Sequence, residues 1–163
     1  QRGFYAFGFP IAPKGVVSDD ADHGNDANHS QWLSSDWAID AAQTKIGTGR
    51  AVVDWMIVDH YSLDSRWEST IRSTCRRLMV IDDLANRPHD CDVLLDQNFY
   101  KDQDQRYHGL LPEHSMTLLG PSYVLLRPEF EIARQRIKER DGTIKRIIVF
   151  FGGSDPKNQT LTY

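Results

Sequence analysis

Short uninterrupted apolar runs alternate along this chain with amphipathic and polar segments, which predicts an α/β fold. Runs of this length, rich in β-branched residues, are typical of strands buried on both faces of a parallel sheet. The predicted strands are Trp55–Val58, Leu78–Ile81, Val93–Leu95 and Met116–Leu119. We therefore predict a Rossmann-like parallel sheet.

Helical spacing marks the segments between the strands. Residues 31–46 carry Leu33, Trp37 and Ala41 at intervals of four and end at a glycine, as helices do. Ser65-Arg66-Trp67-Glu68 has the spacing of a capping box, and Trp67, Ile71, Cys75 and Leu78 continue at helical intervals. A third helix is predicted at Arg127-Pro128-Glu129, with Leu126, Phe130, Ala133 and Ile137 on its buried side.

An acidic residue directly follows, or closes, three of the predicted strands. These residues are Asp59, Asp82 and Asp96. Because ligands of open α/β sheets bind outside the carboxyl ends of the strands, we expect all three at one sheet edge. Asp59, His60 and Tyr61 would then stand at a binding crevice.

The last segment resembles the start of a new domain. Asp141-Gly142 is a turn signal, and the apolar run from Arg146 to Phe151 predicts a strand. A glycine turn and a helix start would follow it, and such a turn binds phosphate readily; an ordinary βα turn has the same pattern. We predict an N-terminal Rossmann-like domain at residues 1–140, and at 141–163 a linker with the first strand and turn of a nucleotide-binding domain.

Composition narrows the class of protein. The 163 residues carry a formal net charge of -4, whereas a nucleic-acid binder would normally show a basic face. No apolar run reaches the roughly 20 residues that span a bilayer, so we expect no membrane partner and a cytoplasmic location. Two cysteines make neither a disulfide framework nor a zinc site. The spacing of the acidic residues along the chain matches no compact metal-binding motif, so we predict no metal and no cofactor. A magnesium site would, however, need only one or two carboxylates.

The ends of the sequence suggest a piece of a longer protein. The chain begins with Gln1 in place of an initiator methionine, and it stops soon after the glycine turn, where a helix should begin. We therefore expect the first domain to be incomplete at its N-terminus.

Five motifs together resemble one enzyme family in order and spacing. They are IVDHY (57–61), LDSRWE (63–68), VIDDLANRPHDCDVLLDQN (80–98), LLGPSYVLLRPEF (118–130) and FGGSDPKN (151–158). Together they are similar to the nucleotide-sugar hydrolases of pseudaminic acid biosynthesis, which act on UDP-2,4-diacetamido-2,4,6-trideoxy-β-L-altropyranose. The resemblance covers roughly residues 52–158 and is loose before them.

The resemblance implies a GT-B-like architecture, in which two Rossmann-like domains face each other across a cleft. It also implies hydrolysis of the anomeric C–O bond, with UDP and free sugar as products and no metal. The acidic edge would repel a diphosphate, so it should face the sugar. The diphosphate is then expected at the glycine turn, at Gly152, Gly153, Ser154, Asp155 and Asn158.

One family motif has no match here. The catalytic histidine of these hydrolases lies in G-x-G-H-x-x-R, and no histidine of this chain follows G-x-G. We therefore assign the general base to no residue present and expect this piece alone to be inactive.

The candidates for sugar contacts lie at the strand ends. Tyr61 could instead pack at a strand end, His60 could be a structural hydrogen-bonding residue, and Arg127 could cap carbonyls. The complete set is Asp59, His60, Tyr61, Asp82, Asp83, Asn98 and Arg127.

Two other classes of protein share much of this pattern. A glycosyltransferase of the same architecture would pass the sugar to an acceptor instead of water. A receiver-like domain would bind Mg²⁺ and accept phosphate at a strand-end aspartate, although it would end before residues 146–158. The sequence leaves the oligomeric state open.

Overall fold

The structure is a computed structural model that describes residues 33, 36–49, 51–137 and 141–149. Two compact units divide the chain, Gln1–Leu125 and Leu126–Tyr163. The predicted domains, 1–140 and 141–163, stay predictions. The glycine-turn residues Gly152, Gly153, Ser154, Asp155 and Asn158 lie outside the described residues.

A four-stranded parallel sheet forms the centre of the first unit and confirms the predicted α/β class. Its strands pair in chain order, so each one neighbours the next. The strands are β1 (Val53–Val58), β2 (Cys75–Ile81), β3 (Val93–Asp96) and β4 (Met116–Leu119). The second Rossmann-like domain of a GT-B architecture remains an expectation.

The pairing register brings the predicted acidic strand ends to one edge. Val58 pairs with Val80 and Ile81 pairs with Leu95, so the residues after β1 and β2 emerge beside the end of β3. The Asp82 backbone N–H donates to the Leu95 carbonyl at 3.0 Å. The prediction that Asp59, Asp82 and Asp96 share one sheet edge is confirmed.

The core lies between one face of the sheet and two helices, α1 (Trp37–Thr48) and α2 (Ser65–Ile71). The Trp67 indole N–H also donates to the Asp40 carboxylate of α1 at 2.8 Å. The buried cluster on this face includes Val58, Leu78, Val80 and Leu94 from the strands with Ala41, Trp67 and Ile71 from the helices.

Helix α1 confirms the helix predicted over residues 31–46 in the part that is described. Asp36 caps it by accepting a hydrogen bond from the Ala38 N–H, as an N-cap residue does. At its other end Gly49 has φ 68°, in the left-handed region that glycine enters without a steric penalty.

The start of α2 corrects the predicted capping box. The N-cap is Asp64, whose carboxylate accepts from the Arg66 N–H, and Ser65 is the first helical residue. Glu68 is buried and turns to His89 and Asp90. The helix ends at Ile71 and a 3₁₀ turn, Arg72–Thr74, leads into β2. Cys75 and Leu78, despite their helical spacing, therefore belong to the strand because sheet pairing overrides local periodicity.

The second unit is described over one helix, α3 (Pro128–Gln135), which follows Arg127 and has proline in its first turn, as predicted. The predicted burial of Leu126, Phe130, Ala133 and Ile137 is wrong for the described structure, where all four side chains are exposed. The described part of this unit contains no other helix or strand that could cover these side chains. Residues 144–149 show no strand pairing with any described residue; the rest of that predicted strand lies outside the description.

We predict that Ile71→Ala lowers the free energy of unfolding by about 2–5 kcal/mol, because it leaves a cavity in a packed core. Ile71 is 0% exposed, whereas Ile57 is 61% exposed on β1. Ile57→Ala is the control and should cost about 1 kcal/mol or less. Urea denaturation of both variants checks this, and equal losses would contradict the assigned core.

A second stability prediction concerns Asp92. Burial favours its neutral form, but the Leu78 N–H and the guanidinium groups of Arg72 and Arg77 outweigh it and hold the pKa of Asp92 below its usual value. Because the folded-state pKa is the lower one, the stabilisation is present above the unfolded pKa, about 3.9, and is lost as pH falls through the folded value.

Asp92→Asn should therefore weaken the fold at pH 7 by roughly 1.5–3 kcal/mol and reduce the loss of stability between pH 5 and pH 2. The control is Asp54→Asn, which removes an exposed ion pair with Arg76 and should change little. Denaturation at several pH values gives the result. A variant with unaltered acid dependence would count against this role of Asp92.

Candidate functional site

A cleft opens at the carboxyl ends of β1, β2 and β3, where the acidic residues meet. Its volume is about 250 Å³. Each lining residue belongs to a strand end or to the first residues beyond one, as expected for a ligand crevice of an α/β sheet. The lining consists of Asp59, Tyr61, Ile81, Asp82, Asp83, Leu95 and Gln97.

Tyr61 and Asp83 form the polar pair of this cleft. The Tyr61 side chain is hydrogen-bonded to Asp83, and this bond, with burial and the charges of Asp83, Asp82 and Asp59, raises the pKa of Tyr61 to about 12. The Asn98 amide also donates to Asp83 Oδ2 at 2.7 Å. Tyr61 is thus a neutral phenol at physiological pH, and Asp83 is held from two sides.

Asp82 lies in the cleft wall but does not present its carboxylate to solvent. The residue is 1% exposed. Its Oδ2 accepts from the N–H groups of Leu84 at 3.2 Å and Ala85 at 3.0 Å, and Arg87 Nη1 lies 2.7 Å from Oδ1. Ala85 has φ 50°, a region that non-glycine residues rarely enter. The carboxylate therefore holds the turn after β2, and we move Asp82 from the sugar contacts to the scaffold.

Asp96 is a second buried carboxylate with structural partners. It accepts from Arg106 Nε at 3.0 Å and from the Asn98 N–H at 3.1 Å. The Tyr107 hydroxyl lies 2.9 Å from the Asp82 backbone carbonyl oxygen, 3.2 Å from Asp82 Oδ2 and 3.1 Å from Asp96 Oδ2, so its one O–H lies between the two acids. Burial, with these two neighbouring carboxylates, raises the pKa of Tyr107, so it stays protonated and donates.

His60 is half-buried in the turn after β1 and does not line the cleft. Its Nδ1 accepts a hydrogen bond from the Ser62 N–H at 3.1 Å. An accepting Nδ1 places the proton of the neutral ring on Nε2. This geometry favours the structural reading of His60 over direct contact with a sugar.

The remaining predicted residues are placed differently. Asp59 is exposed and lines the cleft, and Asn98 is exposed beside it through its bond to Asp83. Arg127 belongs to the second unit, where its guanidinium lies 5.9 Å from the centre of the Phe130 ring. The structure therefore brings Asp59, Tyr61, Asp82 and Asp83 together in one cleft wall.

Sequence reasoning missed the residues that support this wall. Gln97 lines the cleft. Arg87 pairs with Asp82, and Arg106 pairs with Asp96. In the interior, Glu68 Oε1 lies 2.7 Å from His89 Nδ1. Gln97 stands in the same strand-end segment as Asp96 and could have been found from that position. Arg87 and His89 lie in a polar turn with no periodicity to show their inward direction.

The charge of the cleft follows from these pairings. Asp82 and Asp96 are compensated by arginines, whereas Asp59 and Asp83 have no cationic ion-pair partner among the described residues. No lysine or arginine is among the lining residues. The open part of the cleft is consequently negative.

The described part of the chain has neither a cluster of metal ligands nor a membrane-spanning helix. No group of three or more His, Cys, Asp or Glu side chains is placed there to hold a metal ion. No described helix is long and apolar enough to cross a membrane.

The sequence of this chain is similar to the sequences of known proteins. No family model matches the chain. It is 35% identical over 109 residues to the UDP-2,4-diacetamido-2,4,6-trideoxy-β-L-altropyranose hydrolase of Campylobacter jejuni, which covers 65% of this chain and 37% of that protein. It is also 28% identical over 114 residues to an uncharacterised protein of Methanocaldococcus jannaschii, covering 66% of this chain and 23% of that protein.

The matched part thus spans less than two fifths of either relative. The resemblance that the five motifs predicted is confirmed: over about two thirds of its length, this chain is similar to one part of a UDP-2,4-diacetamido-2,4,6-trideoxy-β-L-altropyranose hydrolase.

Proposed function

We propose that this chain forms the sugar-facing part of an enzyme that hydrolyses the anomeric C–O bond of a UDP-linked diacetamido-trideoxy sugar. The products would be UDP and the free sugar, in pseudaminic acid biosynthesis. The observation that carries the proposal is the Tyr61–Asp83 pair in a cleft at the carboxyl ends of β1–β3, within a chain similar to such a hydrolase.

The size of the cleft supports a site for only part of the substrate. Pockets that enclose a whole drug-sized ligand typically measure about 300–1,000 Å³, and this one measures about 250 Å³. It suits one sugar ring better than a complete nucleotide sugar. The nucleotide would then bind elsewhere, and residues 152–158 remain the proposed diphosphate site.

The charge of the cleft also supports binding of the sugar here and of the diphosphate elsewhere. Asp59 and Asp83 are acceptors that lack a cationic partner among the described residues, and a diphosphate would be repelled by them. A sugar offers hydroxyl and amide N–H donors to these carboxylates instead. The reaction also suits this charge, because glycoside cleavage develops positive charge on the ring through an oxocarbenium-like transition state.

Tyr61 would orient a reactant without taking its proton. A tyrosine of ordinary pKa, near 10, is already neutral at pH 7, and the raised pKa of about 12 widens that margin, so Tyr61 is a poor general base there. The hydroxyl donates to Asp83 and can accept a hydrogen bond from a water molecule or a sugar hydroxyl. The base itself is assigned to no described residue.

An assay of the longer protein implied by the resemblance tests the proposal. Incubation with the UDP-sugar in water should release UDP and free sugar in equal amounts, and NMR measures this release. Release that depends on an added acceptor alcohol would instead favour the glycosyltransferase. No release under either condition would contradict both functions.

In that longer protein, Tyr61→Phe should lower turnover about tenfold while leaving UDP inhibition nearly unchanged. The substitution keeps the ring and removes the hydroxyl, and a hydrogen bond worth about 1.4 kcal/mol in the transition state corresponds to a factor of ten. Tyr123→Phe is the matched control because Tyr123 is exposed and does not line the cleft. Steady-state kinetics with UDP as inhibitor give both quantities. Unaltered turnover would make Tyr61 a packing residue, and a large loss of UDP affinity would place the nucleotide on this side.

The protonation of Tyr61 can be tested on this chain without substrate. Asp83→Asn removes the negative charge that stabilises the phenol, so the pKa of Tyr61 should fall from about 12 toward its ordinary value near 10. NMR titration of ¹³C-labelled tyrosine, with the signal assigned by Tyr61→Phe, measures the change. Asp54→Asn, at an exposed site of β1, should leave the titration in place; an equal shift in both variants would contradict the pairing with Asp83.

A further inference from the structure

Arg87 reaches from the β2–β3 connection to the turn that carries Tyr61. Its Nε donates to the Leu63 carbonyl at 2.7 Å and its Nη2 to the His60 carbonyl at 3.3 Å. Its Nη1 lies 2.7 Å from Asp82 Oδ1. One guanidinium therefore joins both ends of residues 60–63, here called the Tyr61 turn, to the buried acid after β2.

Two hydrogen bonds shape the Tyr61 turn from within. The Leu63 N–H donates to the His60 carbonyl at 3.3 Å, and the Ser62 N–H donates to His60 Nδ1 at 3.1 Å. Both contacts lie within the turn, so they shape it without joining it to β2. The bond between Tyr61 and Asp83 and the contacts of Arg87 join the turn to the carboxyl end of β2.

The neighbours of Arg87 in the chain bind elsewhere. The Pro88 carbonyl accepts from the Ser65 N–H at 2.9 Å, His89 meets Glu68, and Asp90 accepts from Ser69 Oγ at 2.8 Å. These contacts hold the connection along α2 and do not involve the carbonyls of the Tyr61 turn. Arg87 is therefore the member of this segment whose side chain contacts the Tyr61 turn.

We propose that Arg87 is a positioning residue, which fixes the Tyr61 turn against the carboxyl end of β2 and so sets the place of Tyr61 beside Asp83. Arginine suits this task because its planar guanidinium offers five donors in a rigid fork and remains protonated. A lysine would keep the charge near Asp82 but could not make the three diverging contacts from a rigid plane. Only the catalytic consequence of this inference rests on the proposed function.

Hydrogen exchange followed by NMR tests the structural half on this chain alone. In Arg87→Lys, the Ser62 and Leu63 amides should exchange roughly tenfold faster, the loss expected for about one hydrogen bond. The amides of Val80 and Leu94 in the sheet should keep their rates. Arg66→Lys is the matched control, since exposed Arg66 bonds to Asp64 and not to the turn carbonyls, and it should leave all four rates unchanged.

Two outcomes of this measurement overturn the proposal. Unaltered exchange at Ser62 and Leu63 would show that Arg87 does not hold the turn. Equal acceleration in the turn and the sheet would show that Arg87 only stabilises the fold.

The unaltered chain provides a second measurement should Arg87→Lys not fold. The side-chain Nε–H of Arg87, whose side chain is 14% exposed, should exchange at least about tenfold more slowly than that of Arg76, which is 72% exposed. Equal rates would contradict the bond to Leu63.

The catalytic half uses the longer protein. Arg87→Lys should lower kcat for UDP-sugar hydrolysis severalfold with KM nearly unchanged, because a displaced Tyr61 loses an interaction made in the transition state. Unaltered kcat in Arg87→Lys, with hydrolysis by the parent intact, would overturn the positioning role. Absence of hydrolysis in the parent would defeat the proposed function, and the exchange rates would still decide whether Arg87 holds the turn.

Discussion

The buried carboxylate of Asp82 is the constraint on which the candidate site depends. Its two oxygens meet the Arg87 guanidinium, the Tyr107 hydroxyl and two N–H groups of the following turn. A buried charge is costly unless it is paired with an opposite charge and hydrogen-bonded. The residues that compensate Asp82 come from the β2–β3 connection and from the segment before β4, so satisfying this charge also fixes the loops around the cleft.

This arrangement separates two kinds of acid that look alike in the sequence. Asp82 and Asp96 are compensated by arginines and bridged by Tyr107, so they build the wall. Asp59 and Asp83 keep their charge toward the cleft. This difference gives a negative cleft on a neutralised scaffold, and it is the electrostatic basis of the proposal that the sugar, and not the diphosphate, binds at this edge.

The local pattern of apolar and polar residues predicted the structure correctly where one physical preference dominated. Apolar runs predicted all four strands, but the burial on both faces that such runs indicate is wrong for β1, where Trp55 is 52% and Ile57 61% exposed. The local pattern was a poor guide where preferences competed. Ser65 and Glu68 match a capping box, yet Asp64 caps the helix and Glu68 is buried with His89, since a tertiary partner for a carboxylate outweighs the modest gain from a local cap.

The sequence alone determined the parallel α/β sheet, the shared edge of its acidic strand ends, the position of Tyr61 after β1 and the resemblance to a nucleotide-sugar hydrolase. These follow from period, turn chemistry and motif order, which are local properties of the chain. Only the tertiary structure decided which acids are buried, that Tyr61 pairs with Asp83, and that Arg87 spans the Tyr61 turn and Asp82. Arg87 lies 24 positions from Leu63 and 27 from His60, and the energies of all these contacts depend on burial and on distances that no local pattern encodes.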